Sequence, residues 1–373
     1  MKAMRSVTLL NIHYGIRTAA WEVASLFSLS YLYKQGLPLY AACLVYGGMF
    51  FMRLFFIPLA NRLCLTKGVR YTLTVGTVLF ALRYLMLIPI DGVNWKIFPF
   101  LLLSGIADPM YRLSYNTFFS LLSADENRGK DVGVRESLVM ILMIIAPFFG
   151  GMLLSYNRIL TFFILMTLTF LSIVPLNKIA EIKFEPYETV EKTTLKGSFL
   201  MFFFACAQYS FLVWQLTVFQ MVTESYSRFG FLLSLAALFQ AVFYLLFGHS
   251  FDTGKRKILT VLGYGLMLFL CFMRFFLATT VPAVIACDFI YAVASPFYFV
   301  ATMRFFYQRL NMSRMPVDFS QKSEAGRVWG VCFVMVVAAA MALTDLPLRW
   351  ILAVGVAALT ANLSILLTFR RSV

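Results

Sequence analysis

Apolar residues in this chain neither alternate nor recur at a helical spacing; they run on without interruption. Twelve stretches are almost wholly apolar, at roughly 6–32, 37–60, 71–90, 97–120, 133–155, 159–176, 197–222, 228–248, 258–278, 282–308, 328–344 and 349–369. A helix that crosses a bilayer needs about 20 such residues. In lipid, every backbone N–H and C=O must be satisfied by a helix or by a closed barrel. Barrel strands would alternate apolar and polar residues over about 10 positions, and these runs do not. The pattern therefore predicts an all-α polytopic membrane protein with twelve transmembrane helices.

Composition agrees. Of 373 residues, 61% are hydrophobic and 13% charged, whereas soluble domains run at about half apolar and a quarter charged. A soluble enzyme and a disordered chain are both excluded. Twelve spans take up roughly 240 residues and leave little room for an added soluble domain. The net charge of +15 would point to nucleic acid in a soluble protein, but its distribution points elsewhere. With the N-terminus in the cytoplasm, 21 of the 32 Lys and Arg residues fall on the cytoplasmic side, five on the other side and six inside the runs. Basic residues collect in cytoplasmic loops, so both termini are expected in the cytoplasm, with the chain in a plasma (bacterial inner) membrane and no nucleic-acid partner. The first run carries His13, Arg17 and Glu22 and no cleavage-like site, which reads as a first span and not a removable signal. The six cysteines are scattered singly; neither a disulfide frame nor a metal site is expected, and no cofactor.

The longest polar stretch, 177–196, contains Glu181, Glu185, Glu188 and Glu191 with four lysines. It divides the chain into a six-helix half at 1–176, a cytoplasmic linker at 177–196 and a second six-helix half at 197–373. A weak repeat supports the division. Gly68 before the third run and Gly254 before the ninth lie 186 residues apart, and Pro109 in the fourth run and Pro296 in the tenth lie 187 apart. The segment Asp131 to Arg135 opens the fifth run much as Glu324 to Arg327 opens the eleventh. Two-fold repetition of six-span halves marks transporters.

Polar residues inside spans are costly and are functional candidates by default. In the fourth run Ser104, Asp108, Arg112, Asn116 and Ser120 recur at every fourth position. Each step advances about 40° around the helix, so they form one slowly winding stripe. Asp108 and Arg112 are spaced for an intrahelical pair, with Asp108 about 16 Å into its run, near mid-membrane. The tenth run carries Asp288, Tyr291, Ser295, Tyr298 and Thr302, and the seventh Gln208, Trp214 and Gln215 beside Tyr209. The first run carries His13, Arg17, Trp21 and Glu22; His13 and Arg17 share a face, and Glu22 points elsewhere. Arg53, Arg83 and Arg274 are read as snorkelling or pairing with neighbours, and Arg304 as snorkelling, none as a substrate contact. Asp108, Glu22 and Asp288 are the candidate proton sites, Asp108 first because an arginine lies one turn away.

Two further motifs carry a resemblance. Gly248-His249-Ser250-Phe251-Asp252-Thr253-Gly254-Lys255-Arg256-Lys257 is similar to the loop Gly-x-Leu-Ala-Asp-Arg-x-Gly-Arg-Lys of the major facilitator superfamily, and Leu59-Ala60-Asn61-Arg62 with Lys67-Gly68-Val69-Arg70 resembles its first copy. Asn61 stands in place of the acid. Ala146-Pro147-Phe148-Phe149-Gly150-Gly151 resembles the fifth-helix motif of the antiporter branches, with Ala for the first Gly; the fourth-helix basic residue of those antiporters is Leu101 here. Over essentially the whole chain the resemblance implies two pseudo-symmetric six-helix halves, with helices one, four, seven and ten lining a central cavity. It also implies a cytoplasmic gate built from Asp252, Gly254, Arg256, Asn61, Arg62, Arg70, Arg135 and Glu136. Asp252 would sit at the amino end of the fifth helix, where free N–H groups favour an acid.

These readings converge on a monomeric secondary active transporter that moves a small organic solute by alternating access, coupled to protons, with export by antiport. Uptake of an organic anion or lipid-like amphiphile is the alternative, and a non-transporting sensor or scaffold a third. The chain contains no HExxH, GxSxG or P-loop motif, so no enzymatic activity is expected.

Overall fold

The computed structural model describes residues 2–122, 128–182, 195–220, 225–247, 256–312 and 316–369. Among these residues the chain is all helical. Six helices precede the polar stretch: α1 (Lys2–Lys34), α2 (Leu39–Lys67), α3 (Val69–Leu87), α4 (Ile97–Leu122), α5 (Arg128–Tyr156) and α6 (Arg158–Leu171), the last continued past Ser172 by one turn, Ile173–Leu176. Six follow it: α7 (Leu195–Val218), α8 (Tyr226–Phe247), α9 (Arg256–Phe276), α10 (Val281–Met312), α11 (Pro316–Leu343) and α12 (Ile351–Phe369), with a short 3-10 turn at Leu348–Trp350 before α12.

Each apolar run has its helix, but several helices outrun the apolar residues. α1 has 33 residues and is about 50 Å long, against a hydrocarbon core of about 30 Å. α11 begins at Pro316, well before the apolar run at 328, because Asp318, Gln321, Lys322, Ser323, Glu324 and Arg327 are helical without being apolar. Hydropathy detects the part of a helix that suits lipid and is blind to polar turns outside it.

Among the described residues, nine helices are long and apolar enough to cross a membrane. The other three are α1, α3 and α4, which carry Arg17, Arg83 and the Asp108–Arg112 step.

The chain forms two compact units, Met1–Thr189 and Val190–Val373. Inside each, one close helix approach recurs. A Cβ on Gly76 of α3 would lie 2.8 Å from the Tyr111 backbone nitrogen of α4, and a Cβ on Gly263 of α9 would lie 2.8 Å from the Tyr298 backbone nitrogen of α10. Both partners shift by the same 187 residues, so the weak sequence repeat is a packing repeat. Small residues let helix backbones meet closely in a membrane, where apolar side chains gain nothing by leaving lipid.

Candidate functional site

The fourth-helix stripe is graded in depth. Ser104 and Asp108 are buried, Arg112 is half-buried, Asn116 is exposed, and the Ser120 side chain lies outside the described residues. The expected Asp108–Arg112 step is present, with Arg112 Nε 3.4 Å from Asp108 Oδ2. A nearer partner comes from α2: Arg53 Nη1 lies 2.8 Å from the same oxygen, with both side chains within 2% of full burial. Arg53 therefore does not snorkel. Its guanidinium also packs 3.6 Å from the Phe50 ring centre.

Arg17 and Arg83 complete the cluster. The Arg17 guanidinium carbon lies 4.0 Å from the Tyr111 ring centre, 4.1 Å from that of Phe80 and 5.0 Å from that of Trp21. The Arg83 carbon lies 3.9 Å from the same Phe80 ring and 5.2 Å from the same Trp21 ring. Asp108 is within electrostatic reach of all four arginines. Cation–π stacking offsets part of the desolvation of a guanidinium, which is how two of them are buried without a carboxylate of their own. Arg83 Nε and Nη1, Arg17 Nε, Ser104 Oγ and the Tyr84 and Tyr111 hydroxyls are buried without a hydrogen-bond partner.

The first-run residues do separate, as the helical wheel requires. His13 Nδ1 donates to the Ser172 carbonyl at the break in α6, at 2.7 Å; its Nε2 is buried without a partner, and its ring lies 5.7 Å from that of Tyr111. Glu22 is half-buried and, among the described residues, has no ion-pair partner.

Among its described residues the C-terminal unit has one ion pair between helices, with Arg274 buried and Asp288 half-buried. Arg274 Nη2 of α9 donates to Asp288 Oδ1 of α10 at 3.0 Å. Arg274 is flanked by Phe211, Trp214 and Tyr291 at 5.3, 5.9 and 5.2 Å. Ser295 accepts a 3.2 Å hydrogen bond from Gln240 Nε2 of α8. Tyr298 is buried with Gln208 nearby. Gln215 is half-buried, its Oε1 unpartnered. Tyr264 bonds both Thr302 and Asn362, at 2.8 and 3.0 Å.

Of the expected gate, Asp252 and Gly254 lie outside the described residues, as do the side chains of Arg256 and Glu136. Asn61 is half-buried and Arg62 exposed. Arg135 packs against Phe119 and Tyr14, at 5.0 and 5.7 Å. Arg70 is engaged by the start of the polar stretch: its Nη1 donates to the Ile179 carbonyl at 2.8 Å. Glu181 accepts from the Arg70 and Tyr71 backbone N–H groups at 2.7 and 2.9 Å. An acid at the start of α3 is thus provided by the stretch read as linker. Gly68 fits this arrangement, since its φ is +106° and a Cβ there would lie 2.5 Å from the Glu181 side chain.

Arg53, Arg83, Arg274 and Glu181 are the residues that sequence reasoning set aside. All three arginines fall inside apolar runs, and this was the available signal. The ion-pair partners of Arg53 and Arg274 come from other helices, 55 and 14 residues away in sequence, and no spacing rule reaches that far.

The fold has many solved relatives. A bacterial homologue of the iron transporter ferroportin, in an inward-facing state, superposes with a TM-score of 0.74 at 13% identity over 98% of both chains. A POT family transporter in complex with a thioalcohol-conjugated peptide gives 0.77 at 10% identity, covering 98% of this chain and 96% of that one. The nucleoside transporter NupG gives 0.72 at 12%, covering 97% and 99%. At such identities the likeness is one of fold. No curated protein sequence matches. The model of the Major Facilitator Superfamily matches residues 12–344. With twelve helices in two repeated units and charged residues buried inside them, this chain belongs to the major facilitator superfamily and is a multi-pass membrane transporter.

Proposed function

We propose that the protein is a secondary active transporter that moves a small organic solute by alternating access, coupled to protons. The observation that carries this is the arginine-rich cluster around Asp108. A charge at the centre of a spanning helix costs about 2.5–3.5 kcal/mol even on the mildest scale. Packing alone would not retain four arginines where their counterparts one repeat later are largely neutral. Asp108 and Asp288 each have a guanidinium within 3.0 Å, whereas Glu22 has none among the described residues. This favours Glu22 as the proton carrier and Asp108 as the group that holds Arg53 and Arg112. The fifth-helix motif Ala146 to Gly151 supports export by antiport; the excess of arginine supports an organic anion as the solute, in either direction. The 21-to-5 basic bias supports both termini on the cytoplasmic side of the plasma (bacterial inner) membrane, and the chain is proposed to work as a monomer.

The test is flux in proteoliposomes with a pH-sensitive dye inside and a pH gradient across the wall. Organic anions and neutral solutes are offered in turn. Solute-dependent proton movement is expected with the parent protein, and its loss with retained solute exchange is expected in Glu22→Gln. Gradient-driven accumulation by Glu22→Gln equal to the parent would move the proton site to Asp108 or Asp288. Flux that ignores the gradient would rule out proton coupling.

A further inference from the structure

The two units share a frame but not a charge. At the 187-residue shift, Arg17, Arg53, Arg83, Asp108 and Arg112 correspond to Phe204, Gln240, Leu270, Ser295 and Phe299. The correspondence holds in space as well as in number. The Arg53–Asp108 pair, at 2.8 Å, is matched by the Gln240–Ser295 hydrogen bond at 3.2 Å. Arg17 over the Tyr111 ring is matched by Phe204 stacked on the Tyr298 ring, with centroids 5.6 Å apart. The scaffold therefore folds in the C-terminal unit with a phenyl ring, an amide, a hydroxyl and aliphatic carbon at these places. The charges in the N-terminal unit are not needed to build it.

From this asymmetry, together with buried donors that lack partners, we propose that the N-terminal unit contains an oxyanion-binding site formed by Arg17 and Arg83. It would take a carboxylate or phosphate group of the solute. The proposal rests on the transporter reading only for the identity of the ligand as the transported solute; binding itself can be measured without transport.

The geometry suits an oxyanion in three respects. First, both guanidinium groups lie over ring faces, at 4.1 and 3.9 Å from Phe80. A stacked guanidinium has its face covered and its N–H edge free, and Arg83 Nε and Nη1 and Arg17 Nε are buried donors with no partner. Second, both carbons lie about 4 Å from one ring centre, so their separation cannot exceed the sum of those two distances. A carboxylate or phosphate that met both N–H edges would do so through charge-assisted hydrogen bonds of about 2.7–2.9 Å. Third, the charge is unbalanced. Arg17, Arg53, Arg83 and Arg112 lie within electrostatic reach of Asp108, and Glu22 within that of Arg17. The cluster remains positive with both acids ionised, and Asp108 is already engaged by Arg53 and Arg112. The Ser104, Tyr84 and Tyr111 hydroxyls, on α4 and α3, are likewise buried and unpartnered. Trp21, near both arginines, provides an apolar wall for the rest of the solute.

The experiment is ligand-dependent thermal stabilisation of the purified full-length protein in detergent, since a ligand that binds the folded state raises its melting temperature. The probes are succinate, inorganic phosphate and phosphatidylglycerol in mixed micelles, each against sodium chloride at equal ionic strength and against glycerol. At least one oxyanion should stabilise where chloride and glycerol do not, and which probe does so distinguishes a carboxylate, a free phosphate and a lipid headgroup. Arg17→Gln and Arg83→Gln should each weaken that binding tenfold or more, and Arg274→Gln, in the other unit, should leave it within twofold. If a glutamine variant fails to fold, Arg83→Lys keeps the charge but loses the planar fork and should still weaken binding about tenfold. Stabilisation equal to that by chloride, or retained in the Arg17 and Arg83 variants, overturns the site. Anion binding with no solute flux in proteoliposomes would instead overturn the transporter reading and leave the site standing.

Discussion

Arg53→Gln removes the nearer of two counter-charges from Asp108, leaving Arg112 at 3.4 Å. Breaking a buried ion pair by deleting one partner costs about 3–5 kcal/mol, and the surviving contact places this case near 3 kcal/mol. For a folding unit of this size each kcal/mol moves the melting temperature by about 2–4 °C, so a drop of roughly 6–12 °C is expected. Asp108→Ser removes the counter-charge 2.8 Å from Arg53 and should cost a similar amount. The double variant Arg53→Gln/Asp108→Ser installs the pair that already packs at the corresponding place in the C-terminal unit, where Gln240 bonds Ser295 at 3.2 Å. It should recover most of the loss, because the buried guanidinium that Asp108→Ser deprives of its nearest counter-charge is removed together with the carboxylate. With two single losses of about 3 kcal/mol each and a double variant near the parent, the expected coupling is about 5 kcal/mol, above the usual range for residues in contact because each single variant leaves a buried charge behind. Melting is followed by tryptophan fluorescence in detergent at one scan rate, since unfolding of such proteins is commonly irreversible. If the double variant loses the sum of the two single losses, the units are not interchangeable here. If either single variant melts within about 2 °C of the parent, the pair is not what ties α2 to α4.

Gly76→Ala should lower the melting temperature although alanine is the better helix former by about 1 kcal/mol, because its Cβ would lie 2.8 Å from a backbone nitrogen that cannot yield. Gly263→Ala should do the same in the other unit; neutrality of both would refute the close approach. Gly68→Ala should release the 177–182 segment, since φ is +106° and the methyl would meet Glu181; limited proteolysis near Lys178 should accelerate, and Glu181→Ala should reproduce the effect. The Asp91 carboxyl, in the exposed α3–α4 loop, is held below its usual range by its hydrogen bonds with Lys96. A lowered folded-state value contributes stability above the unfolded pKa of about 3.9 and loses it as pH falls through the folded value. Asp91→Asn should therefore melt slightly below the parent at pH 7 and together with it in strong acid.

Much of the architecture was legible in the chain, because lipid imposes a one-dimensional rule. Continuous apolar runs must be helices, and their number, order and basic flanks can be read without knowing any contact. The repeat near 187 followed from the same kind of reading. So did the Asp108–Arg112 step, whose partners are one turn apart on one helix. Limits of the runs were less visible, as α11 shows, because a polar helical turn outside the membrane has no apolar mark. Only the tertiary structure brought Arg53 to Asp108, Arg274 to Asp288, and Arg17 and Arg83 to one Phe80 ring. The Arg53–Asp108, Arg274–Asp288 and Arg17–Phe80 contacts join residues on different helices, whereas Arg83 and Phe80 are three residues apart on α3; helix packing is decided by shape and by small residues such as Gly76, not by sequence spacing. Read along the chain, Arg83 is a lone charge in an apolar run. Packed between Phe80 and Trp21 it becomes a buried, unneutralised donor, because the neighbours that cover its face leave its edge with nothing to bind.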